Sequence, residues 1–186
     1  MSLDRYTKSL KILIEEEELK KRCELLGREI TERYQGKDLV AVGVLKGVFP
    51  FYADLIRDIN LPLRCDFIGV SSYGSRTETG GVVRLTSDLA QPVNGCHVLI
   101  VEDIVDTGLT MRYLLDMMKM KGAESVKICS LLSKPSRRLT PVTIHFPGFE
   151  VEDHFVVGYG LDYKERLRNL KYIGYYPDGP PDLTEA

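Results

Sequence analysis

The chain has 186 residues, 44% hydrophobic and 28% charged, with 25 basic side chains against 27 acidic ones. That composition excludes a disordered chain, and the net charge of −2 gives no overall drive toward nucleic acid. No apolar run approaches the about 20 residues that span a bilayer, and Met1 to Lys11 lacks the apolar core of a secretory signal, so one cytoplasmic domain over 1–186 is expected.

Glu15 to Glu18 is an acidic run that suits the positive end of a helix. Leu19, Cys23, Leu26 and Ile30 then fall on one helical stripe. Asp38–Val44 is an apolar run of strand length, followed by Leu45-Lys46-Gly47. Phe49–Ile59 reads as a helix and Leu63–Val70 as a second strand. Residues 71–81 are polar and glycine-rich and predict a long loop, with a short strand after it at Val82–Thr86. His97–Val101 is a strongly apolar strand. Thr110–Lys121 reads as a helix that places Leu114, Met117, Met118 and Lys121 on one face and stops at Gly122. Val126–Leu132 is another buried strand, Val142–His145 and Phe155–Val157 are shorter ones, and Pro177–Pro181 opens an irregular tail.

Cys23, Cys65, Cys96 and Cys129 form no close pair and are expected as reduced, buried thiols. His97, His145 and His154 lack ligand spacing and are expected to be structural or surface residues, with His154 beside a candidate site. Apolar strands alternating with helices predict an α/β fold with a mainly parallel sheet. Ligands bind such sheets at the carboxyl ends of the strands.

One such end stands out. Val98 to Thr110 reads VLIVEDIVDTGLT. Apolar strand residues lead into Glu102-Asp103, and Asp106-Thr107-Gly108-Leu109-Thr110 then enters a helix. Backbone N–H groups at a helix entry are unpaired and face the positive dipole end, which suits a phosphate. Gly108 permits close approach, and the Thr107 and Thr110 hydroxyls can donate. Glu102 and Asp103 suit sugar hydroxyls or a hydrated metal ion. An ordinary strand–turn–helix is the alternative, but three carboxylates at a strand exit weigh against it and favour a phosphorylated sugar.

VLIVEDIVDTGLT resembles the 5-phosphoribosyl 1-pyrophosphate (PRPP) motif of type I phosphoribosyltransferases. The resemblance implies their fold, a central parallel sheet with flanking helices and a small hood. It implies that Glu102 and Asp103 hold the ribose 2′ and 3′ hydroxyls, that Asp106 to Thr110 form the 5′-phosphate loop, and that Asp106 lies near purine N7 as the catalytic residue. Val44-Leu45-Lys46-Gly47 is similar to the pyrophosphate loop of the hypoxanthine–guanine subfamily, which implies a cis peptide between Leu45 and Lys46. Ser72 and Tyr73 resemble the start of that subfamily's lid loop.

Lys134 matches a lysine that donates to the purine 6-oxo group, and a side chain with donors only disfavours adenine. The segment FVVGYGLDY from Phe155 is similar to the base pocket, where Phe155 stacks on the purine and Val156 offers backbone groups. The same likeness puts Asp162 near the base and a magnesium-bound water, and Arg168 on pyrophosphate. Arg137 and Arg138 suit phosphates or solvent equally. Gly160 stands where many relatives have alanine and is expected only to loosen that turn.

The implied activity is Mg²⁺-dependent transfer of phosphoribose to a 6-oxopurine, with Glu102, Asp103 and Asp162 near the metal. A homodimer or homotetramer is the implied assembly, with exposed apolar residues on the Phe49–Arg57 helix fitting an interface. No nucleic-acid or membrane partner is implied. A regulator of the same fold that senses PRPP or nucleotide is the competing class, and it would lack Lys46, Asp106 or Lys134. A xanthine-preferring enzyme stays open, because Lys134 treats all 6-oxopurines alike.

Overall fold

The computed structural model describes residues 3–73 and 82–181. A short helix α1 (Asp4–Thr7) and strand β1 (Lys11–Ile14) lead into α2 (Glu16–Tyr34). Glu15 caps that helix, its side chain and that of Glu18 forming a reciprocal capping box, with the Glu15 N–H donating to Glu18 at 3.0 Å. The acidic run is therefore a specific helix start as well as a favourable charge. The predicted stripe of Leu19, Cys23, Leu26 and Ile30 is buried.

Strand β2 (Leu39–Leu45), helix α3 (Phe49–Asp58), strands β3 (Arg64–Tyr73), β4 (Val82–Ser87) and β5 (His97–Val105), helix α4 (Leu109–Met120) and strand β6 (Ser125–Ser133) follow. A 3₁₀ turn (Pro135–Arg137) and strands β7 (Phe146–Glu150), β8 (Val156–Val157) and β9 (Ile173–Tyr175) complete the described elements. The main sheet has six strands in the order β4-β3-β2-β5-β6-β7, parallel throughout except for the antiparallel edge strand β4. Helices cover both faces. Leu39, Ala41, Leu99 and Val101 pack with α2 and α3, whereas Val40, Val42, Val98 and Ile100 pack with α4. This alternation is the period of two that a strand imposes, here with both faces buried. A second, three-stranded antiparallel sheet, β1-β9-β8, forms the hood with Tyr6, Val157, Leu167, Leu170 and Tyr176 beneath it.

Four sequence expectations need correction. Residues 71–73 belong to β3, because β4 pairs with them, and the rest of the expected loop, 74–81, lies outside the described residues. Strand β5 runs on through Val105, so Glu102 and Asp103 lie within it rather than after it. The strand expected at Val142–His145 begins four residues later, at Phe146. Cys65 is exposed, while Cys23, Cys96 and Cys129 are buried, and all four thiols are free.

Candidate active site

The chain leaves β2 toward β3 on one side, and β5 takes the other side of β2. Such a switch point opens a crevice at the carboxyl ends of the two strands. An open cleft of about 980 Å³ lies there, lined by Val44–Gly47 at the end of β2 and by Glu102–Met111 from β5 into α4. Lys134 after β6 and the segments 153–156 and 161–162 close its far side.

The phosphate-loop candidates sit at the entry of α4. Gly108 is its N-cap, with φ 86°, and an added Cβ would collide with the Thr140 carbonyl. Glycine is required there on both counts. The Thr107 carbonyl accepts N–H bonds from Leu139 and Thr140, each at 3.0 Å, which ties the loop to the segment after β6. Gly108 has no side chain to cap the helix, the Leu109 N–H donates to the Thr107 hydroxyl at 3.4 Å, and the other N–H groups of the first turn lie on the cleft wall with the Thr110 hydroxyl.

Glu102 is 7% exposed and adjoins Asp103. Burial, then the neighbouring Asp103 charge, pushes the Glu102 carboxyl well above its ordinary range. Burial also raises Asp103, opposed by its hydrogen bond with Glu102 and by the Ile104 N–H, which donates at 2.8 Å. Two adjoining carboxylates that resist sharing negative charge invite a cation, and oxygen donors suit Mg²⁺. Asp162 lines the same cleft, but Arg168 holds it at 2.8 Å and the Glu165 N–H donates to it at 2.8 Å. Among the described residues no three acidic, histidine or cysteine side chains gather into one metal cage.

On the opposite wall the Leu45–Lys46 peptide is cis, as the resemblance implies. Gly47 lies against Asp103, whose carboxylate fills the space a Cβ would need. Lys46 Nζ pairs with Glu165 at 3.1 Å. Arg168 stands behind the cleft rather than on its wall, donating to the Gly160 carbonyl at 2.9 Å. Gly160 has φ 103°, and an added Cβ would strike the Gly47 carbonyl. This corrects the expectation for Gly160: the glycine lets two walls of the site touch.

Lys134 is 8% exposed and donates to the His154 carbonyl at 2.6 Å and to Asp153 at 3.2 Å. Phe155 lines the cleft and meets Tyr163 edge-on at 5.7 Å between ring centroids. Val156 is buried in β8. His154 stacks on Tyr175 and also reaches the cleft, whereas His97 bonds Ser125 at 2.7 Å in a structural role. Ser72 and Tyr73 end β3, and the lid they were expected to open lies outside the described residues.

Sequence reasoning missed Asp153 and left Arg137 undecided. Arg137 donates from Nε to Asp106 at 2.9 Å and from a terminal nitrogen to Asp153 at 3.1 Å. These bonds hold the Asp153 carboxyl below its usual range, Arg137 first and Lys134 after it. The only sequence signal is complementary charge, SKPSRR facing EDH, which gives no pairing by itself.

A family model for the phosphoribosyl transferase domain matches residues 10–164. The chain is 52% identical over 164 residues to a hypoxanthine-guanine phosphoribosyltransferase of Bacillus subtilis, covering 88% of this chain and 91% of that one. It is 49% identical over 166 residues to a hypoxanthine phosphoribosyltransferase of Haemophilus influenzae, covering 88% and 93%. A crystal structure of a hypoxanthine phosphoribosyltransferase from Staphylococcus aureus superposes with a TM-score of 0.87 at 42% identity, covering 91% of this chain and 92% of that one.

Proposed function

The chain belongs to the phosphoribosyl transferase family, and from that premise we propose that it is a purine salvage enzyme of the hypoxanthine–guanine type. It joins hypoxanthine or guanine to the ribose 5-phosphate of PRPP, forming IMP or GMP and releasing pyrophosphate. The observation that carries this is one cleft holding both an anion-ready helix entry and a nearly buried lysine with a donor to spare.

The α4 entry, Asp106 to Thr110, holds the 5′-phosphate through backbone N–H groups and threonine hydroxyls. Glu102 and Asp103 accept hydrogen bonds from the ribose 2′ and 3′ hydroxyls. They would also hold hydrated Mg²⁺, which when bound neutralises the pyrophosphate of PRPP. Leu45, Lys46 and Gly47 face the departing pyrophosphate, with Arg168 behind them. The base lies against Phe155, takes backbone contacts from Val156 and a donor from Lys134, and approaches Asp162 at its 2-position. Displacement at ribose C1 builds positive charge on the sugar, and Asp106 accepts or hydrogen-bonds the N7 proton as the base attacks. Ser72 and Tyr73 begin the lid that excludes water.

No described helix is long and apolar enough to cross a membrane, in keeping with a cytoplasmic enzyme. Phe49, 47% exposed at the start of α3, supports a contact between copies in a homodimer or homotetramer. Pyrophosphate release is the test. Protein mixed with Mg²⁺ and PRPP is expected to release it only when hypoxanthine or guanine is added. Tight PRPP binding without release would instead identify a sensor of the same fold.

A further inference from the structure

Asp106 and Lys134 line one cleft, their proposed partners N7 and the 6-oxo group lie on one edge of the purine, and a continuous chain of charges joins them. Arg137 Nε donates to Asp106 at 2.9 Å, a second Arg137 nitrogen donates to Asp153 at 3.1 Å, and Lys134 donates to the other Asp153 oxygen at 3.2 Å. The backbone supports the same path. The Lys134 N–H donates to the Val105 carbonyl at 3.0 Å, next to Asp106, and Lys134 and Arg137 bracket a single 3₁₀ turn whose N-cap is Lys134.

Each working group keeps one valence free. An ammonium has three donors. Asp153 and the His154 carbonyl take two of the three from Lys134, which leaves one for a 6-oxo oxygen. Arg137 engages one Asp106 oxygen, and no described residue donates to the other, which is left for a purine N–H.

We propose that Arg137 and Asp153 are positioning residues that hold Asp106 and Lys134 in register along one edge of the base. They touch no reacting atom themselves. This proposal rests on the function given above. Arg137 and Asp153 side chains are 47% and 49% exposed. Ion pairs so exposed contribute little to stability, so their service is orientation and their removal leaves the fold intact. Arginine suits the bridging position because its planar fork can face two carboxylates at once, which a lysine ammonium on a flexible stem does less well.

Steady-state kinetics on Asp153→Ala, Arg137→Gln, Arg137→Lys and the double variant Asp153→Ala/Arg137→Gln test this, with thermal melts beside them. Asp153→Ala is expected to raise KM for hypoxanthine about tenfold, the scale of one charge-assisted hydrogen bond, while KM for PRPP stays within about twofold. Arg137→Gln is expected to lower kcat about tenfold through misplacement of Asp106, and Arg137→Lys to stay impaired although the charge is kept. The double variant should lose less than the product of the single losses, as coupled residues do. All four variants should melt near the wild type. Parallel rises in both KM values, or a large drop in melting temperature, would make the network merely structural and overturn the proposal. Variants indistinguishable from an active wild type would remove the network alone. A wild type that forms no nucleotide from any 6-oxopurine would sink the functional reading, and the network with it.

Discussion

Asp106 stands one residue beyond β5 and two before the helix-capping Gly108, so backbone geometry places its carboxylate at the mouth of the phosphate loop. If it takes the N7 proton, Asp106→Asn keeps the shape and loses the base. Turnover should fall at least about a hundredfold, the lower end of general-base contributions, with PRPP affinity little changed by calorimetry. Unchanged turnover would take Asp106 out of the chemistry. Gly160 gives a second expectation at this scale. Its positive φ and its closeness to the Gly47 carbonyl leave no place for a methyl group. Gly160→Ala should cost about 1–3 kcal/mol of stability, the usual range for a side chain held in a left-handed conformation. It should also raise KM for PRPP by displacing the pyrophosphate loop, and a variant as stable and as active as its parent would show that the contact is slack. Lys46, Asp106, Lys134 and Phe155 line one cleft, and that they come together was readable from motifs. Asp153 was not, because its importance comes from two partners 16 and 19 residues away in sequence.

The elements divide by how much of their pairing is local. Helices α2 and α4 and strands β2 and β6 announce themselves through periodic apolar positions and were legible within a few residues. Strands β1 and β9 were missed, since each is short and owes its existence to pairing with the other across almost the whole chain. The far end of β5 was missed because its acidic pair looks like a loop, yet the β6 ladder continues beside it to Val105↔Ser133. The expected strand at Val142–His145 failed for a different reason. The His145 N–H donates to the Ile128 carbonyl at 2.9 Å, and the His145 Nδ1 accepts from the Ile128 N–H at 3.2 Å. A side chain thus takes the place of a strand carbonyl, and the regular ladder starts at Phe146. That role requires a neutral ring. Burial, then the charges of Lys127 and Arg33, holds the His145 pKa below its ordinary 6.5. The folded state therefore binds fewer protons than the unfolded state, so the contribution is present above pH 6.5 and is lost as pH falls below it. Melts between pH 7.5 and about 5 should show this decline, and His145→Gln should flatten it. An identical slope in the variant would place the titration elsewhere.

At the scale of the molecule, the doubly covered parallel sheet does two things. It buries β2 and β5 between helices, and it leaves their carboxyl ends open at the switch point where the proposed phosphate, ribose and base contacts converge. This much was legible, because apolar runs alternating with helices specify such a sheet and the sheet specifies where to search. The hood was implied by the family resemblance and not by apolar patterning, and the touching of the Gly47 and Gly160 walls was not legible, because both depend on segments brought together only by the complete fold. The central claim is that Lys134, held with one donor free, makes this cleft selective for 6-oxopurines. Comparison of kcat/KM for hypoxanthine, guanine, xanthine and adenine with Mg²⁺ and PRPP tests it most directly. Turnover is expected with hypoxanthine or guanine, and a rate with adenine lower by at least about a thousandfold, because adenine would set a donor against the lysine and leave it unpaired. Comparable turnover with adenine would contradict it.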